Sequence, residues 1–204
     1  MAVITISREM GCGADSVAQE VANRLGVPCA DREVIEQAAR QAGLPQEILD
    51  SKEREQRDQR SFASSDMIGL VRRSQSGRRA QLEDAAYTRF IGEAIQQLAS
   101  KPIVIVGRGA QFILRDRSDA LHVHIHAPEA VRVARLMREK SLPREQAERM
   151  VRASDAERAS YIKHYFNNAN WRNPEYYDLM IDLSKLSAET AVELIVMAAQ
   201  SLGG

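Results

Sequence analysis

Long apolar runs are missing from this sequence. A helix that crosses a membrane needs about 20 consecutive apolar residues, whereas the longest apolar runs here have the length of a strand. Cysteine is also scarce, since Cys12 and Cys29 are the two in the chain, and no secretory signal precedes them. We therefore expect a soluble, cytoplasmic protein that has two free thiols and no membrane partner.

Net charge of either sign is absent as well. The 28 basic residues balance the 28 acidic ones, so no global field attracts nucleic acid or a membrane surface. What the chain does have is 204 residues of 44% hydrophobic and 27% charged composition. A chain of this length buries roughly 70% of the surface that its unfolded form exposes, which predicts one globular domain that folds without a metal or a disulfide. The sequence leaves open whether that domain forms a homo-oligomer.

Strand and helix patterns alternate along the chain. The β-branched run at 3–6 predicts a central strand buried on both faces, and a glycine-containing loop leads from it into a helix that Gly26 ends. Further strand patterns, separated by helical ones, lie at 27–30, 103–106, 122–126 and 179–183. This alternation predicts right-handed crossovers. The expected fold class is therefore α/β, with five parallel strands between two layers of helices.

Two segments interrupt this alternation. Residues 50–81 begin with a solvated charge run and continue into four clustered arginines, which predicts an insertion rather than a linker. Residues 143–170 begin as a polar helical stretch with several arginines and few large apolar residues. A segment that buries little opens at a low free-energy cost, so we expect this one to behave as a mobile arm.

The loop between the first strand and the first helix contains Gly11 and Gly13. A loop at this place directs backbone N–H groups and the positive end of a helix to one point, which favours an anion and above all a phosphate. The window from Arg8 to Ser16 matches half of the standard phosphate-loop motif, because Ala14 stands at the lysine position and Arg8 at the first glycine. The residues alone leave two interpretations open, a phosphate loop and a purely structural tight turn.

Several motifs, taken together and in order, carry a resemblance to a known family. They are Ile-Ser-Arg-Glu-x-Gly-x-Gly at 6–13, Leu-Gly-Val-Pro at 25–28, Ala-Asp-Arg-Glu at 30–33, Ile-Val-Gly-Arg-Gly at 105–109 and Tyr-Asp-Leu at 177–179. Over essentially the whole chain the sequence resembles the cytidylate kinase-like family, relatives of the nucleoside monophosphate kinases. The resemblance implies a three-layer α/β/α P-loop kinase fold. It also implies a nucleoside-monophosphate-binding insertion at 45–100 and a helical lid at 143–170.

The reaction that the resemblance implies is transfer of the γ-phosphoryl group of ATP to a nucleoside monophosphate such as CMP, with Mg²⁺. The expected donor loop, in which Ser16 offers its hydroxyl to Mg²⁺, consists of Gly11, Cys12, Gly13, Ala14, Asp15 and Ser16. Acceptor binding is assigned by position to Asp31 and Arg108. Clustered guanidinium groups suit a phosphate monoester, which adds Arg72, Arg73 and Arg78 to the acceptor site. The expected catalytic arginines are Arg8, Arg152 and Arg158.

Two departures from the family pattern bear on activity. Val106 and Gly109 stand where cytidylate kinases have aspartates on either side of an arginine, which questions recognition of cytosine. Ala14 replaces the phosphate-loop lysine, and loss of one preorganised charge contact typically costs about 10²–10³ in rate. Arg8 either supplies the replacement cation or pairs structurally with Glu9 or Glu33. The rival interpretation is a nucleotide-binding protein without significant turnover, whose lid responds to its ligand.

Three further features have structural alternatives. The histidines at 122, 124 and 126 share one strand face, where zinc binding is an option but packed, neutral imidazoles are favoured. The arginine cluster at 72–79 is a phosphate site, a solvated face or a contact with the acidic run before it. Asp155 and Arg158 either belong to the lid or form a surface salt bridge at i, i+3 spacing.

Overall fold

The strand Val3–Arg8 (β1) lies at the centre of a parallel sheet. The computed structural model describes residues 2–51 and 77–202, and the backbone alone for 77–81. In this part of the chain the sheet has five strands in the order β2-β3-β1-β4-β5, all parallel. The other four are Cys29–Ala30 (β2), Val104–Val106 (β3), Ala120–His126 (β4) and Leu179–Asp182 (β5). The predicted α/β fold with five parallel strands is confirmed.

Helices alternate with these strands along the chain. They are Val17–Leu25 (α1), Arg32–Gln41 (α2), Gly77–Leu98 (α3), Ala110–Ile113 (α4), Glu129–Lys140 (α5), Arg144–Tyr165 (α6) and Ala188–Ser201 (α7). A 3₁₀ turn lies at Pro174–Tyr176, and residues 46–51 are helical. The sequence does not predict α4 or the 3₁₀ turn, because three or four residues are too few to show a helical period.

The two faces of the sheet bury separate hydrophobic clusters. On β1, Ile4 and Ile6 pack into the cluster that α1 and α7 cover, whereas Val3 packs into the cluster that α2 and α3 cover. All three side chains are at most 1% exposed, as expected for a β-branched run in a central strand. The sheet is therefore the middle of three layers. Packing on both of its faces holds the carboxyl ends of β1 and β3 in place.

Local signals mark one end of α1 and one end of α2, and the sequence predicts the first of these. Gly26 ends α1 with a φ of 65°, a conformation that glycine adopts without a steric penalty. Asp31 begins α2, because its Oδ1 accepts hydrogen bonds from the N–H groups of Glu33 and Val34 at 3.0 and 3.1 Å. A side-chain cap of this kind contributes about 1 kcal/mol.

The predicted arm corresponds mainly to α6, which is attached at both ends. Ala147 and Val151 pack against α5 in a third hydrophobic cluster. Near the other end, Tyr161 and Tyr165 pack against the cluster that α2 and α3 cover. The helix thus buries more apolar surface than its polar composition indicates, and its action as a lid stays a prediction.

Much of the predicted insertion, residues 52–76, lies outside the described residues, and with it Arg72 and Arg73. Arg78 lies at the start of α3, where only the backbone is described. Among the helices of residues 2–51 and 77–202, none has both the length and the apolar character needed to cross a membrane.

Candidate active site

A cavity of about 770 Å³ opens at the carboxyl ends of β1 and β3. These strands are neighbours in the sheet, so the residues that follow them meet at one edge. The lining includes Arg8 at the end of β1, residues 106–109 at and after β3, and Asp31 after β2. Helix α6 contributes Arg158 and Tyr161. Ligands of parallel α/β sheets bind beyond the carboxyl ends of the strands, which makes this cavity the candidate site.

The glycine loop lies beside this cavity rather than within it. Its Met10 lines the cavity, whereas residues 11–16 are not among the lining residues. Gly11 and Gly13 have φ values of 74° and 88°, and a Cβ on Gly11 would lie 2.8 Å from the carbonyl oxygen of Arg132. The glycine at position 11 therefore has a structural reason, the close approach of α5. Both interpretations from the sequence, a phosphate loop and a structural tight turn, are compatible with this close approach.

The lysine position of the loop is part of the hydrophobic core. Ala14 and Cys12 are each 1% exposed and pack in the cluster that α1 and α7 cover. Burial raises the pKa of the Cys12 thiol, so this cysteine stays protonated and poorly nucleophilic. A lysine at position 14 would have to displace core side chains or leave the core. A cation that contacts this loop would therefore have to come from another residue.

Ser16 and Asp15 form the exposed end of the loop. Ser16 is the N-cap of α1, but its side chain makes no capping hydrogen bond, so its hydroxyl is available to a ligand. Asp15 pairs with Arg8, with Oδ1 3.7 Å from Nε. The structural alternative for Arg8 in the sequence is a pair with Glu9 or Glu33. The carboxylate of Glu9 is instead bound by two other arginines.

Arg135 of α5 is a cation at the loop that the sequence analysis missed. Its guanidinium donates hydrogen bonds to the carbonyl oxygens of Cys12 and Leu183. The Nη1 atom lies 3.0 Å from the position that a Cβ on Gly13 would take. The sequence could not indicate this contact, because 123 residues separate Arg135 from Cys12. Arg135 is thus a second candidate, beside Arg8, for the charge that the loop lacks at position 14.

Arg158 is the arginine of α6 that the structure brings to the cavity. Its Nη1 is buried without a hydrogen-bond partner, and its guanidinium carbon lies 5.0 Å from the ring centre of Trp171. Burial lowers the pKa of this guanidinium, and nearby Arg8 lowers it further although Asp155 raises it. An unpartnered buried N–H group costs free energy until an acceptor reaches it. The cavity therefore contains a cation suited to an anionic ligand.

Arg108 and Asp31 both line the cavity, in different environments. The side chain of Arg108 is 8% exposed, pairs with Glu36 of α2, and lies over the ring of Tyr161 at 5.6 Å. Its Nε is buried without a hydrogen-bond partner. Asp31 is exposed and caps α2. Glu36 is the functional neighbour that sequence reasoning missed, because nothing in the local pattern marks it as a buried carboxylate.

Arg152 is not brought to the cavity. Its side chain is 68% exposed and pairs with Glu129 at 2.9 Å, and it is absent from the cavity lining among the described residues. The predicted surface pair of Asp155 with Arg158 is not formed either, because Asp155 binds Arg132 and Arg172.

Asp155 belongs to a charge network, buried at Glu9 and Arg132, that joins four segments. Arg132 of α5 is 3% exposed and donates to both carboxylate oxygens of Asp155, at 3.0 and 2.7 Å. Its Nε lies 3.1 Å from Glu9, and Arg172 binds the same two carboxylates at 2.8 Å. We name these residues, Glu9, Arg132, Asp155 and Arg172, the Arg132 network. It links α6 to the glycine loop through ion pairs. These contacts help to position Arg158 at the cavity.

The histidines of β4 are packed, as the sequence favours. His122 shares a hydrogen bond of 2.8 Å with the hydroxyl of Thr5. His124 is 1% exposed, and burial lowers its pKa to about 3. Within residues 2–51 and 77–202 no group of histidine, cysteine and acidic side chains is arranged to hold a metal ion.

The depressed pKa of His124 predicts a pH dependence of stability. The folded chain holds this imidazole neutral, whereas the unfolded chain binds a proton near pH 6.5. Stability is complete above that pH and falls as the pH drops toward the folded pKa, by about 1.4 kcal/mol per pH unit more than in a His124→Gln variant. Urea unfolding at several pH values measures both chains, and parallel profiles would contradict the prediction.

Solved structures share this fold over nearly the whole chain. An uncharacterized protein from Eubacterium ventriosum matches with a TM-score of 0.70 at 20% identity, covering 98% of this chain and 99% of that one. TT1252 from Thermus thermophilus matches with a TM-score of 0.52 at 17% identity, covering 98% and 96%. A shikimate kinase from Acinetobacter baumannii, in complex with shikimate, is more distant, with a TM-score of 0.48 at 16% identity and coverage of 98% and 94%. At these identities the likeness concerns the fold alone.

Comparison with curated protein sequences finds no significant match. The sequence profile of the cytidylate kinase-like family, in contrast, matches residues 3–185. This match spans every strand of the sheet and every residue of the cavity lining. It confirms the resemblance and the kinase-like α/β/α fold that the resemblance implies: the chain belongs to the cytidylate kinase-like family.

Proposed function

We propose that this protein transfers the γ-phosphoryl group of ATP to a nucleoside monophosphate such as CMP. Membership of the family supports a kinase-like phosphotransferase. The observation that carries the proposal is the cavity between Arg8 and Arg158, where a buried guanidinium N–H has no partner. Phosphoryl transfer needs positioned cations more than covalent chemistry, and such an arginine supplies one.

The donor phosphates are assigned to the glycine loop, residues 11–16. Its backbone N–H groups lead into α1, whose positive end favours an anion. Arg8 lies at the boundary of loop and cavity, and Arg135 lies against Gly13. These two guanidinium groups replace the phosphate-loop lysine, whose position Ala14 occupies.

The loop also fits Mg²⁺ as the cofactor. The hydroxyl of Ser16 is free of a capping bond, and the described chain offers no cage of acidic or histidine side chains. Mg²⁺ in nucleotide sites is held by a few protein oxygens together with waters and substrate phosphates. Ser16 would supply the protein oxygen, and the ion, when bound, would neutralise charge on the transferring phosphates.

The acceptor is assigned to the part of the cavity next to α2. Arg108 would contact the acceptor phosphate or base, in a position fixed by Glu36 and Tyr161. Asp31 presents an exposed carboxylate on the same cavity. Arg72, Arg73 and Arg78 complete the acceptor site in the proposal. Val106 and Gly109 offer no carboxylate beside Arg108, so the base is expected to be recognised less strictly than by cytidylate kinases.

Arg158 is proposed to act on the transferring group. It enters the cavity from α6, and closure of the lid, residues 143–170, would exclude water around it. Exclusion of water matters because a kinase whose phosphoryl group stays exposed hydrolyses ATP instead of phosphorylating its acceptor.

A second function, nucleotide binding with little turnover, is favoured by one observation. Ala14 is a core residue of the cluster beneath α1 and not an open position on the loop. Phosphotransfer assays with each nucleoside monophosphate, run beside calorimetry of MgATP, separate the two functions. The proposal expects turnover with at least one acceptor. Binding of MgATP without any turnover would establish the second function instead.

Arg8→Ala tests the replacement cation. Hydrogen bonds to a charged group are worth about 1.5–3 kcal/mol, so the variant is expected to bind ATP about tenfold to a hundredfold more weakly. Arg144→Ala is the matched control, because Arg144 is exposed and pairs only with Glu148 among the ion pairs described here. Equal ATP affinity in the two variants, measured by calorimetry, would rule out Arg8 as the replacement cation.

A further inference from the structure

Trp171 is the only tryptophan of the chain, and it lies in the wall of the cavity. Its side chain is 3% exposed, and two guanidinium groups lie over its ring. The central carbon of Arg158 is 5.0 Å from the ring centre, and that of Arg172 is 4.7 Å away. One aromatic ring thus holds two cations, of which one lines the cavity.

The two arginines differ in their other partners. Arg172 is neutralised, because its Nη2 lies 2.8 Å from both Glu9 and Asp155. Arg158 has no carboxylate within ion-pair distance among the described pairs, and its Nη1 has no hydrogen-bond partner. The ring is therefore the contact that holds the charged head of Arg158 without neutralising it.

We propose that Trp171 is a positioning residue that holds Arg158 ready for the phosphoryl oxygens of a bound nucleotide. A carboxylate at this place would fix the guanidinium equally well, but it would compete with the ligand for charge and for N–H donors. An aromatic face attracts the cation through its quadrupole and makes no conventional hydrogen bond to it. The N–H groups in the guanidinium plane then stay available for an oxyanion.

Two further contacts hold Trp171 in place, one to its ring and one to its backbone. His124 contacts it edge-on at a centroid distance of 5.4 Å, and the hydroxyl of Tyr177 donates to the backbone carbonyl of Trp171 at 2.5 Å. His124 is neutral at physiological pH, since its pKa is about 3. It therefore adds no third positive charge beside the two arginines.

This inference rests on the proposed function, since it assigns Arg158 a phosphate ligand. The tryptophan itself provides a readout that does not need turnover. Tripolyphosphate carries the phosphate chain of ATP without an absorbing base. Its titration is expected to change the emission of Trp171 in a saturable way, as Arg158 moves its charge from the ring toward the anion. The Arg158→Gln variant is expected to lose that response.

Steady-state kinetics supply the second test. Trp171→Leu is expected to lower kcat about tenfold, the equivalent of one cation–π contact, while KM for the acceptor changes less than about twofold. Trp171→Phe keeps an aromatic face and is expected to restore most of kcat. Phe90→Leu is the matched control, because it removes the ring under Arg89, which is not in the cavity lining among the described residues.

The outcomes separate this inference from the function beneath it. If calorimetry shows that neither tripolyphosphate nor MgATP binds, the proposed function and the role of Trp171 both fall. If the anion binds but the emission is unchanged, the role of Trp171 alone is refuted. A Trp171→Phe variant as slow as Trp171→Leu would refute it as well, since the phenyl ring preserves the proposed contact.

Discussion

Arg158→Ala is expected to lower kcat by about 10²–10³-fold, the usual effect of losing one preorganised charge contact at a transition state. The acceptor KM should change much less, because the contact is proposed to form with the transferring phosphoryl group and not with the bound acceptor. Arg158 lines the cavity with an unpartnered, buried Nη1. Steady-state phosphotransfer with saturating ATP and a varied acceptor measures both constants.

Arg152→Ala is the most informative variant to compare with Arg158→Ala. The sequence assigns it a catalytic role, whereas its side chain is 68% exposed and pairs with Glu129. Arg144→Ala, on the same helix, controls for the loss of an exposed arginine. An Arg158→Ala variant with undiminished kcat would remove Arg158 from the mechanism. A large loss in Arg152→Ala would mean that α6 turns or closes to bring a different face to the substrate.

Arg132→Met is expected to lower the free energy of unfolding by about 3–5 kcal/mol, as does removal of one partner from a buried ion pair. Arg132 is 3% exposed and binds Glu9 and Asp155. Its loss leaves the buried carboxylate of Glu9 and the half-buried one of Asp155 with Arg172, which is 44% exposed, as their remaining partner in the Arg132 network. Urea unfolding followed by circular dichroism measures the change.

Arg144→Met is the control for Arg132→Met, because it breaks an exposed pair with Glu148 that is expected to be worth less than about 1 kcal/mol. A loss in Arg132→Met as small as in this control would show that the Arg132 network does not hold the loop and α6 together. It would also leave the position of Arg158 without its proposed support.

Much of the fold could be predicted from the sequence, because the signals are local. The β-branched run of β1 and Gly26 after α1 each act within a few residues of where they stand. The polar composition of α6 does not indicate how the helix is attached to the rest of the fold. Part of its attachment comes from Asp155, which looks like a surface charge until its partner Arg132, 23 residues earlier in the chain, is brought beside it.

The candidate site was less predictable, because helical direction and distant partners decide it. Arg152 and Arg158 are six residues apart, which directs their side chains about 120° away from each other around the axis of α6, and only Arg158 of the two lines the cavity. Composition does not reveal which of them does. The contact of Arg135 with Cys12 spans 123 residues, and the pair of Arg108 with Glu36 spans 72. Contacts between such distant residues follow from the sheet order and from no local pattern.

The most direct test of the proposed kinase activity is to follow a labelled phosphoryl group from ATP to a nucleoside monophosphate. The protein is incubated with Mg²⁺, ATP labelled at the γ-position and one nucleoside monophosphate at a time, and the label is followed by chromatography. We expect label to appear in a nucleoside diphosphate, with CMP among the accepted monophosphates, and Arg158→Ala to abolish most of this transfer. Label that stays in ATP with every acceptor, or that appears only as inorganic phosphate, would contradict the claim that this cavity is a nucleoside monophosphate kinase site.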